Sequence, residues 1–422
     1  VIARGAYLGD AGGAVVAGRT TTATSRLVVF IQENKTVDFM FPSLAKWGAD
    51  VVPNGPLLKA APVFDQPHDR NAWVHFAMGD YPAMQLSIDD VAVVPYYSWL
   101  AKTFTFCDHH FCTGTNSTAG HLLAFAGQTP TFKNPSFTGT HPVWDIPTLF
   151  GLAERSGVSW GAFPDQDRFP VKFIAELNQP QMSANIHGPG DFLRMAEAKA
   201  LPRLCYVWSP QGFDEHPPFA KVKDPDYQTK GHDLIWQEVD AVVRAGGWSD
   251  TTFILTYDDW GGYADHVETP NIETLPDALH PNGFQAIGGS RVPLIMFGAN
   301  VKQGVDNQWR SHASIIKTAM DMFRLPSFGV PRVDSAPSLV GRLDSSLQRP
   351  KPPKFRARIT QPKAPSPTPK PKRPSPWRGP LAQPMPPLVV NSGPPLPAPT
   401  DGIVRPKPPR AAPSPPRLSE HA

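Results

Sequence analysis

Two short apolar blocks organise this chain. Arg26-Leu-Val-Val-Phe-Ile31 and Thr252-Phe-Ile-Leu-Thr256 are rich in β-branched and aromatic residues, the pattern of buried strands. Phe104-Thr-Phe-Cys107 reads as a further short strand ending at Asp108, and His121-Leu-Leu-Ala-Phe-Ala-Gly127 as the beginning of a helix. The first block runs into Gln32-Glu33-Asn34 and the second into Asp258-Asp259. Beyond the second, Gly261-Gly262 must turn the chain before Asp265-His266.

A polar residue after a strand is ordinarily a loop residue. Two oxygen-rich clusters at equivalent strand ends say more, because parallel strands carry such ends to one edge of a sheet. Ligands of open α/β sheets sit beyond that edge. Carboxylate and amide oxygens held there suit a hard divalent cation. The expectation is a doubly wound α/β domain with a mostly parallel central sheet over residues 25–345, with Glu33, Asn34, Asp258 and Asp259 binding one divalent metal ion of unspecified identity.

Between Asp108 and His121 the residues are small and polar. Thr115, Asn116, Ser117 and Thr118 crowd the expected helix start. A helix N-terminus offers free N–H groups and a positive dipole end, which suits a phosphate. A hydroxyl there could attack phosphorus, although capping the helix is the commoner task of such a residue. The pattern alone leaves the four residues open.

Taken in order, these pieces resemble the bacterial phosphoesterases that include non-haemolytic-type phospholipases C and related acid phosphatases, within the alkaline-phosphatase-like superfamily. Glu33-Asn-Lys-Thr-Val-Asp38 is similar to that family's opening signature, and Tyr257 to Val267 to its late acidic signature. Pro95-Tyr-Tyr-Ser-Trp-Leu-Ala101, Val143-Trp-Asp-Ile-Pro-Thr-Leu149, Glu215-His-Pro-Pro218, Arg291-Val-Pro-Leu-Ile295 and His312-Ala-Ser-Ile315 match further elements in sequence. The resemblance covers residues 25–328 and implies hydrolysis of phosphate esters or phospholipids through a phosphoseryl intermediate.

Counting back from Leu122 and Gly127, the resemblance puts the nucleophile at Ser117, with Thr118 next; Asn116 and Ala119 stand where the family has prolines. It implies that His266 or His216 protonates the leaving oxygen, and that His68 and His312 help at the phosphoryl group. An ordinary imidazole pKa of about 6.5 suits such work. Trp260, inside the acidic motif, is expected to wall the pocket, whereas Trp144, Trp160, Trp208 and Trp248 read as core. The alternative is a non-catalytic cell-envelope binding protein that kept the fold and works through its tail.

That tail begins near Gln348. From Arg349 onward stand 24 of the 51 prolines, with 14 Lys/Arg against 2 Asp/Glu; a tail charge of +12 leaves −9 for the rest, given +3 overall. Such proline density predicts polyproline II or disorder for 346–422, as a flexible N-terminal segment is predicted for 1–24. The basic tail suits contact with an anionic cell surface, so a secreted or cell-envelope location is expected, with a cytoplasmic one left open. The acidic domain argues against specific nucleic-acid binding, and no dinucleotide fingerprint appears. No apolar run reaches transmembrane length. The Ala/Gly-rich opening lacks a signal-type core, so the expectation is a mature chain or one whose start is lost. Cys107, Cys112 and Cys205 allow one disulfide, Cys107–Cys112 or Cys112–Cys205, with buried thiols as the alternative.

Overall fold

A computed structural model describes residues 25–355, apart from 79–82, 115, 136–139, 166, 219–223, 270–273, 276–283 and 286–287. The segment 1–24 and the tail from 356 onward, both expected to lack fixed structure, lie outside the described residues. No helix among the described residues is long and apolar enough to cross a membrane.

Seven strands form one sheet: β1 (Arg26–Gln32), β2 (Thr105–Cys107), β3 (Trp160–Phe163), β4 (Leu204–Trp208), β5 (Thr251–Tyr257), β6 (Leu294–Gly298) and β7 (Gly304–Asp306). Their order across the sheet is β7-β2-β6-β5-β1-β4-β3. β1 pairs in parallel with β4 and β5, β3 with β4, and β7 with β2. β6 runs antiparallel to both its neighbours, β5 and β2. The α/β class with a mostly parallel sheet is therefore as the sequence predicts.

Both faces of the sheet are covered, which is why β1 and β5 read as continuous apolar runs rather than as alternating ones. Register and the two-residue period assign the faces. Phe30 lies opposite Val207, and Val29 opposite Tyr206, so Phe30 and Tyr206 point to opposite sides. Phe30 packs edge-on against Phe192 of the Asp191–Glu197 helix. Tyr206 instead donates to Ala124 O (3.0 Å) of the Ser117–Ala126 helix and meets Phe150 of the Leu149–Arg155 helix.

The packed chain continues past the expected boundary at 345. Trp248 Nε1 donates to Arg349 O (3.1 Å), and Phe355 packs edge-on against Tyr96. Proline content rises before packing ends, because Arg349 and Phe355 still find partners on the domain. All three cysteines are buried free thiols, so neither expected disulfide forms.

Candidate active site

Gln32 and Tyr257 are register partners at the ends of β1 and β5. Glu33 and Asp258 therefore leave the sheet side by side. Asn34 N donates to Asp258 Oδ1 (2.9 Å), and Asp258 N to Gln32 O (2.9 Å). Asn34 sits at φ 67°, a left-handed conformation that asparagine tolerates better than most residues. Gly261, at φ 60°, lies against the Asn34 backbone with no space for a Cβ, so the predicted glycine turn brings the acidic loop onto the first cluster.

The Ser117–Ala126 helix aims its N-terminus at this edge. It starts earlier than the sequence suggests: Asn116 occupies the N-cap and Ser117 is the first helical residue. Gly120 packs directly on the Asp258 carbonyl. Ser117 and His121, one turn apart, share a face. Ser117 Oγ donates to Glu33 Oε2 (2.9 Å), and His121 Nε2 lies 2.9 Å from Glu33 Oε1. Trp208 Nε1 donates to His121 Nδ1 (3.2 Å). An indole N–H only donates, so Nδ1 carries the lone pair and Nε2 the proton that goes to Glu33. His121 is absent from the sequence-derived set, although its position four residues after Ser117 on an expected helix was a usable signal.

The site is crowded with carboxylates. Burial raises the Glu33 carboxyl, but the hydrogen bonds from His121 and Ser117, with His216 nearby, outweigh it and bring it down to about 2. Burial and the charge of Glu33 raise Asp258 to about 6. Asp259 and Asp214 are pushed well above the usual range, by burial and then by Asp258 and Glu33 respectively. Asp258 Oδ2, Asp259 Oδ2 and both side-chain polar atoms of Asn34 are buried and take no hydrogen bond among the described residues. Buried anionic oxygens left this way are costly, and a divalent cation satisfies them. Glu33, His121 and Asp258 bring ligand atoms within 4.8 Å of one another, a donor set that fits a divalent cation, whereas Asp259 stands outside that group with its Oδ2 4.0 Å from His68 Nε2.

A cavity of about 390 Å³ opens above these residues, lined by Glu33, Ser117, His68, His216, Asp214 and Trp208 among others. His68 and His216 approach to 5.8 Å between ring centres. Their Nδ1 atoms each lie 2.6 Å from a carbonyl, of Gln66 and Pro217, which fixes a proton there. Burial favours a neutral His68, but Asp259 and Asp65 outweigh it and raise it to about 10. The segment 188–218 contributes Trp208, Asp214 and His216 to the cavity lining, and much of 268–288 lies outside the described residues.

Other predicted residues are placed elsewhere. His266 does not line the cavity: its Nδ1 is 2.7 Å from Asp38 Oδ2, beside Arg291, which also binds Asp38 and Asp265. The glycine turn folds the loop back, but Arg291 draws the Asp265-His266 pair to Asp38. His312 is buried behind the site, with Nε2 donating to Tyr257 O (2.9 Å) and Nδ1 taking no hydrogen bond; burial lowers it to about 4. Trp260 is fully buried against Trp73 and Phe76, with Nε1 donating to His68 O (3.0 Å), so Trp208 and not Trp260 walls the pocket. Thr118 is buried too, its N–H held by Asn134.

Two strained turns support the cavity. Glu215, at φ 66°, lies between Asp214 and His216 as Asn34 lies between Glu33 and Lys35. A side chain held there costs on the order of 1–3 kcal/mol and must be over-determined by its surroundings. Glu215 is held by Tyr97 OH (2.7 Å), Tyr257 OH (2.9 Å), Gln32 Nε2 (3.2 Å) and Gln228 Nε2. Fully buried Lys35 is lowered to about 8 by burial, which Glu215 and Asp258 oppose.

A sequence model of the Phosphoesterase family matches residues 66–326. The chain is 26% identical over 284 residues to non-specific phospholipase C3 of Arabidopsis thaliana, covering 61% of this chain and 52% of that protein. It is 23% identical over 243 residues to phospholipase C A of Mycobacterium tuberculosis, covering 48% and 45%. The chain thus spans about half the length of the curated relatives it matches. Among solved structures, a protein in the alkaline phosphatase superfamily from Vibrio parahaemolyticus aligns at TM-score 0.40 with 13% identity, over 72% of this chain and 67% of that one.

Proposed function

The chain belongs to the Phosphoesterase family, and on that premise we propose that it hydrolyses phosphate esters through Ser117. The observation that carries this is the Ser117 hydroxyl, at a helix N-terminus on the cavity wall, hydrogen-bonded to a carboxylate in a cluster of buried, unsatisfied oxygens. Glu33, Asn34 and Asp258 would hold one divalent cation, with Asp259 bordering the same centre. When bound, the cation would supply positive charge to the phosphoryl oxygens and lower the hydroxyl pKa.

Ser117 Oγ forms the bond to phosphorus, its proton passing to the Glu33 carboxylate that accepts it, while the bond to the leaving oxygen breaks. Glu33 orients the hydroxyl by accepting its hydrogen bond, and His121 fixes that carboxylate from the other side. The free N–H groups of the helix start face the developing negative charge. His68 and His216, rather than His266, border the cavity and are the proton donors within reach of a leaving oxygen. Water then attacks phosphorus, breaks the Oγ–P bond and restores the serine. The relatives' names include phospholipase C, and a lipid diester is the substrate class proposed first, ahead of a monoester.

The test is turnover of p-nitrophenyl phosphorylcholine and p-nitrophenyl phosphate by the full chain with manganese, in wild type and Ser117→Ala. Diester turnover lost in the variant supports a phospholipase C-type enzyme. Monoester turnover alone, lost in the same way, makes it a phosphatase. Full activity in the variant removes Ser117 from the mechanism.

A further inference from the structure

We propose that Lys35 is a positioning residue that clamps the two strained turns of the site to one another, so that the Glu33 and His216 sides of the cavity are set together. The inference rests on the phosphoesterase reading above and deepens it. Lys35 Nζ donates to Glu33 O (3.1 Å) and to Glu215 O (2.7 Å). The second carbonyl lies 180 positions from Lys35 along the chain. Each lies at a left-handed residue: Glu33 immediately precedes Asn34, and Glu215 is itself the strained residue.

The two turns run alongside one another. Glu33 N donates to Asp214 O (2.9 Å), and Gln32 Nε2 reaches both Phe213 O (3.3 Å) and Glu215 Oε1 (3.2 Å). Lys35 closes this ladder from beneath. Its ammonium also lies 5.6 Å from the Tyr227 ring centre and 5.9 Å from that of Tyr263. A fully buried lysine is rare unless paired. This one makes no side-chain ion pair within salt-bridge distance among the described residues; its hydrogen bonds there go to main-chain carbonyls. A point charge with three rotatable donors can join two carbonyls from different segments.

Lys35 does not line the cavity, so it acts through others. Releasing the Glu33 carbonyl lets Asn34 relax from φ 67°, which turns Glu33 away from Ser117. Releasing the Glu215 carbonyl lets its turn relax and moves His216 away from His68. Partners one shell out from a metal or reacting group typically carry a 10- to 100-fold effect.

The test uses the full chain and three variants: Lys35→Met, Lys35→Gln and Lys35→Arg. Manganese affinity is measured by calorimetry, kcat and KM on the better p-nitrophenyl substrate, and backbone amide exchange by mass spectrometry. Lys35→Met, folded by circular dichroism, is expected to lose about 10- to 100-fold in kcat and in manganese affinity. Amide protection should fall at 33–36 and at 214–216 together. Lys35→Arg should recover kcat to within about threefold, since it restores a cationic donor. A folded Lys35→Met with wild-type kcat and manganese affinity overturns the proposal, as does loss of protection in only one of the two turns. A uniform fall in melting temperature with kcat unchanged would make Lys35 merely structural and also overturns it. Should Lys35→Met fail to fold, Lys35→Gln, which keeps an N–H donor, carries the same comparison. Glu33→Gln is the control for the underlying reading: unchanged manganese binding and activity there would sink the metal assignment, while the paired exchange result would still decide the clamp.

Discussion

Gly120 presses so closely on the Asp258 carbonyl that no Cβ fits between them. The contact seats the Ser117–Ala126 helix on the acidic end of β5. Gly120→Ala must push the two apart, because the neighbour is backbone rather than a side chain that can swing away. Overpacking of this kind costs about 1–3 kcal/mol. We expect a lower urea midpoint and a clear loss of phosphoesterase turnover in the same variant, since Ser117 and His121 move with the helix. Wild-type values for both would mean that the helix start tolerates displacement.

Ser117 and Thr118 separate cleanly. Ser117→Ala should cost on the order of a thousandfold or more in kcat, as removal of a nucleophile does, with no acid-stable phosphoprotein formed during turnover. Thr118→Val should leave turnover within a few-fold, because that side chain is buried and off the cavity. Mass spectrometry of acid-quenched samples reads both results. A phosphorylated Ser117→Ala chain would move the nucleophile elsewhere.

Metal binding should stabilise the folded chain. A ligand at 100 times its Kd adds about 2.7 kcal/mol if it binds only the folded state. Wild type should therefore melt at a higher temperature with manganese than after chelation. In Glu33→Gln/Asp258→Asn that increment should vanish. The substitutions relieve repulsion at Asp258 but lose the Glu33 bonds to His121 and Ser117, so the manganese increment and not the chelated baseline is compared. A preserved increment would place the metal elsewhere.

His266, paired with Asp38 away from the cavity, should matter for stability more than for turnover. Its hydrogen bond to Asp38 raises its pKa above the ordinary value, against partial burial. A folded-state value above the unfolded one means that the pair contributes fully below about pH 6.5 and is lost as pH rises through the folded value. His266→Gln should therefore lower urea stability more at pH 5.5 than at pH 9. The side chain is 31% exposed, so screening keeps the effect to about 1 kcal/mol or less. Turnover should change by no more than a few-fold.

Glu238 is buried in the Tyr227–Arg244 helix, and burial alone raises it to about 8. Its Oε2 takes no hydrogen bond among the described residues. The unfolded chain ionises it near 4.5, so stability falls between about pH 4.5 and pH 8 as this group costs more to keep neutral. Glu238→Gln should match wild type near pH 4 and exceed it by on the order of 2 kcal/mol at pH 8. Equal pH profiles for the two chains would show that Glu238 has a partner.

Much of the site was legible. The strand blocks ending in Glu33-Asn34 and Asp258-Asp259 specified which edge would carry chemistry, and the register of β1 with β5 brings these residues together as parallel pairing requires. The run of small polar residues before an apolar helical block marked 115–118, and only the family resemblance singled out Ser117 among them. The histidines were harder. His266 and His216 both follow an acidic residue, and nothing local says that Arg291, 25 positions beyond His266, diverts one of them into an ion-pair knot. Trp260 misses the cavity for a similar reason, since which tryptophan faces a cavity depends on what packs behind it; Trp208 is core as expected and also borders the cavity.

The sequence by itself determined where strands begin and stop, that they would be buried on both faces, and which polar residues stand at their exits. These follow from periodicity and from the two-residue alternation of a strand, which are local. Only the tertiary structure decided that His121 shares Glu33 with Ser117, that Asp258 and Asp259 have different neighbours, and that a buried Lys35 links two turns. Those relations join residues far apart in the chain, and their energies come from burial, charge proximity and close packing, which exist only once the segments meet.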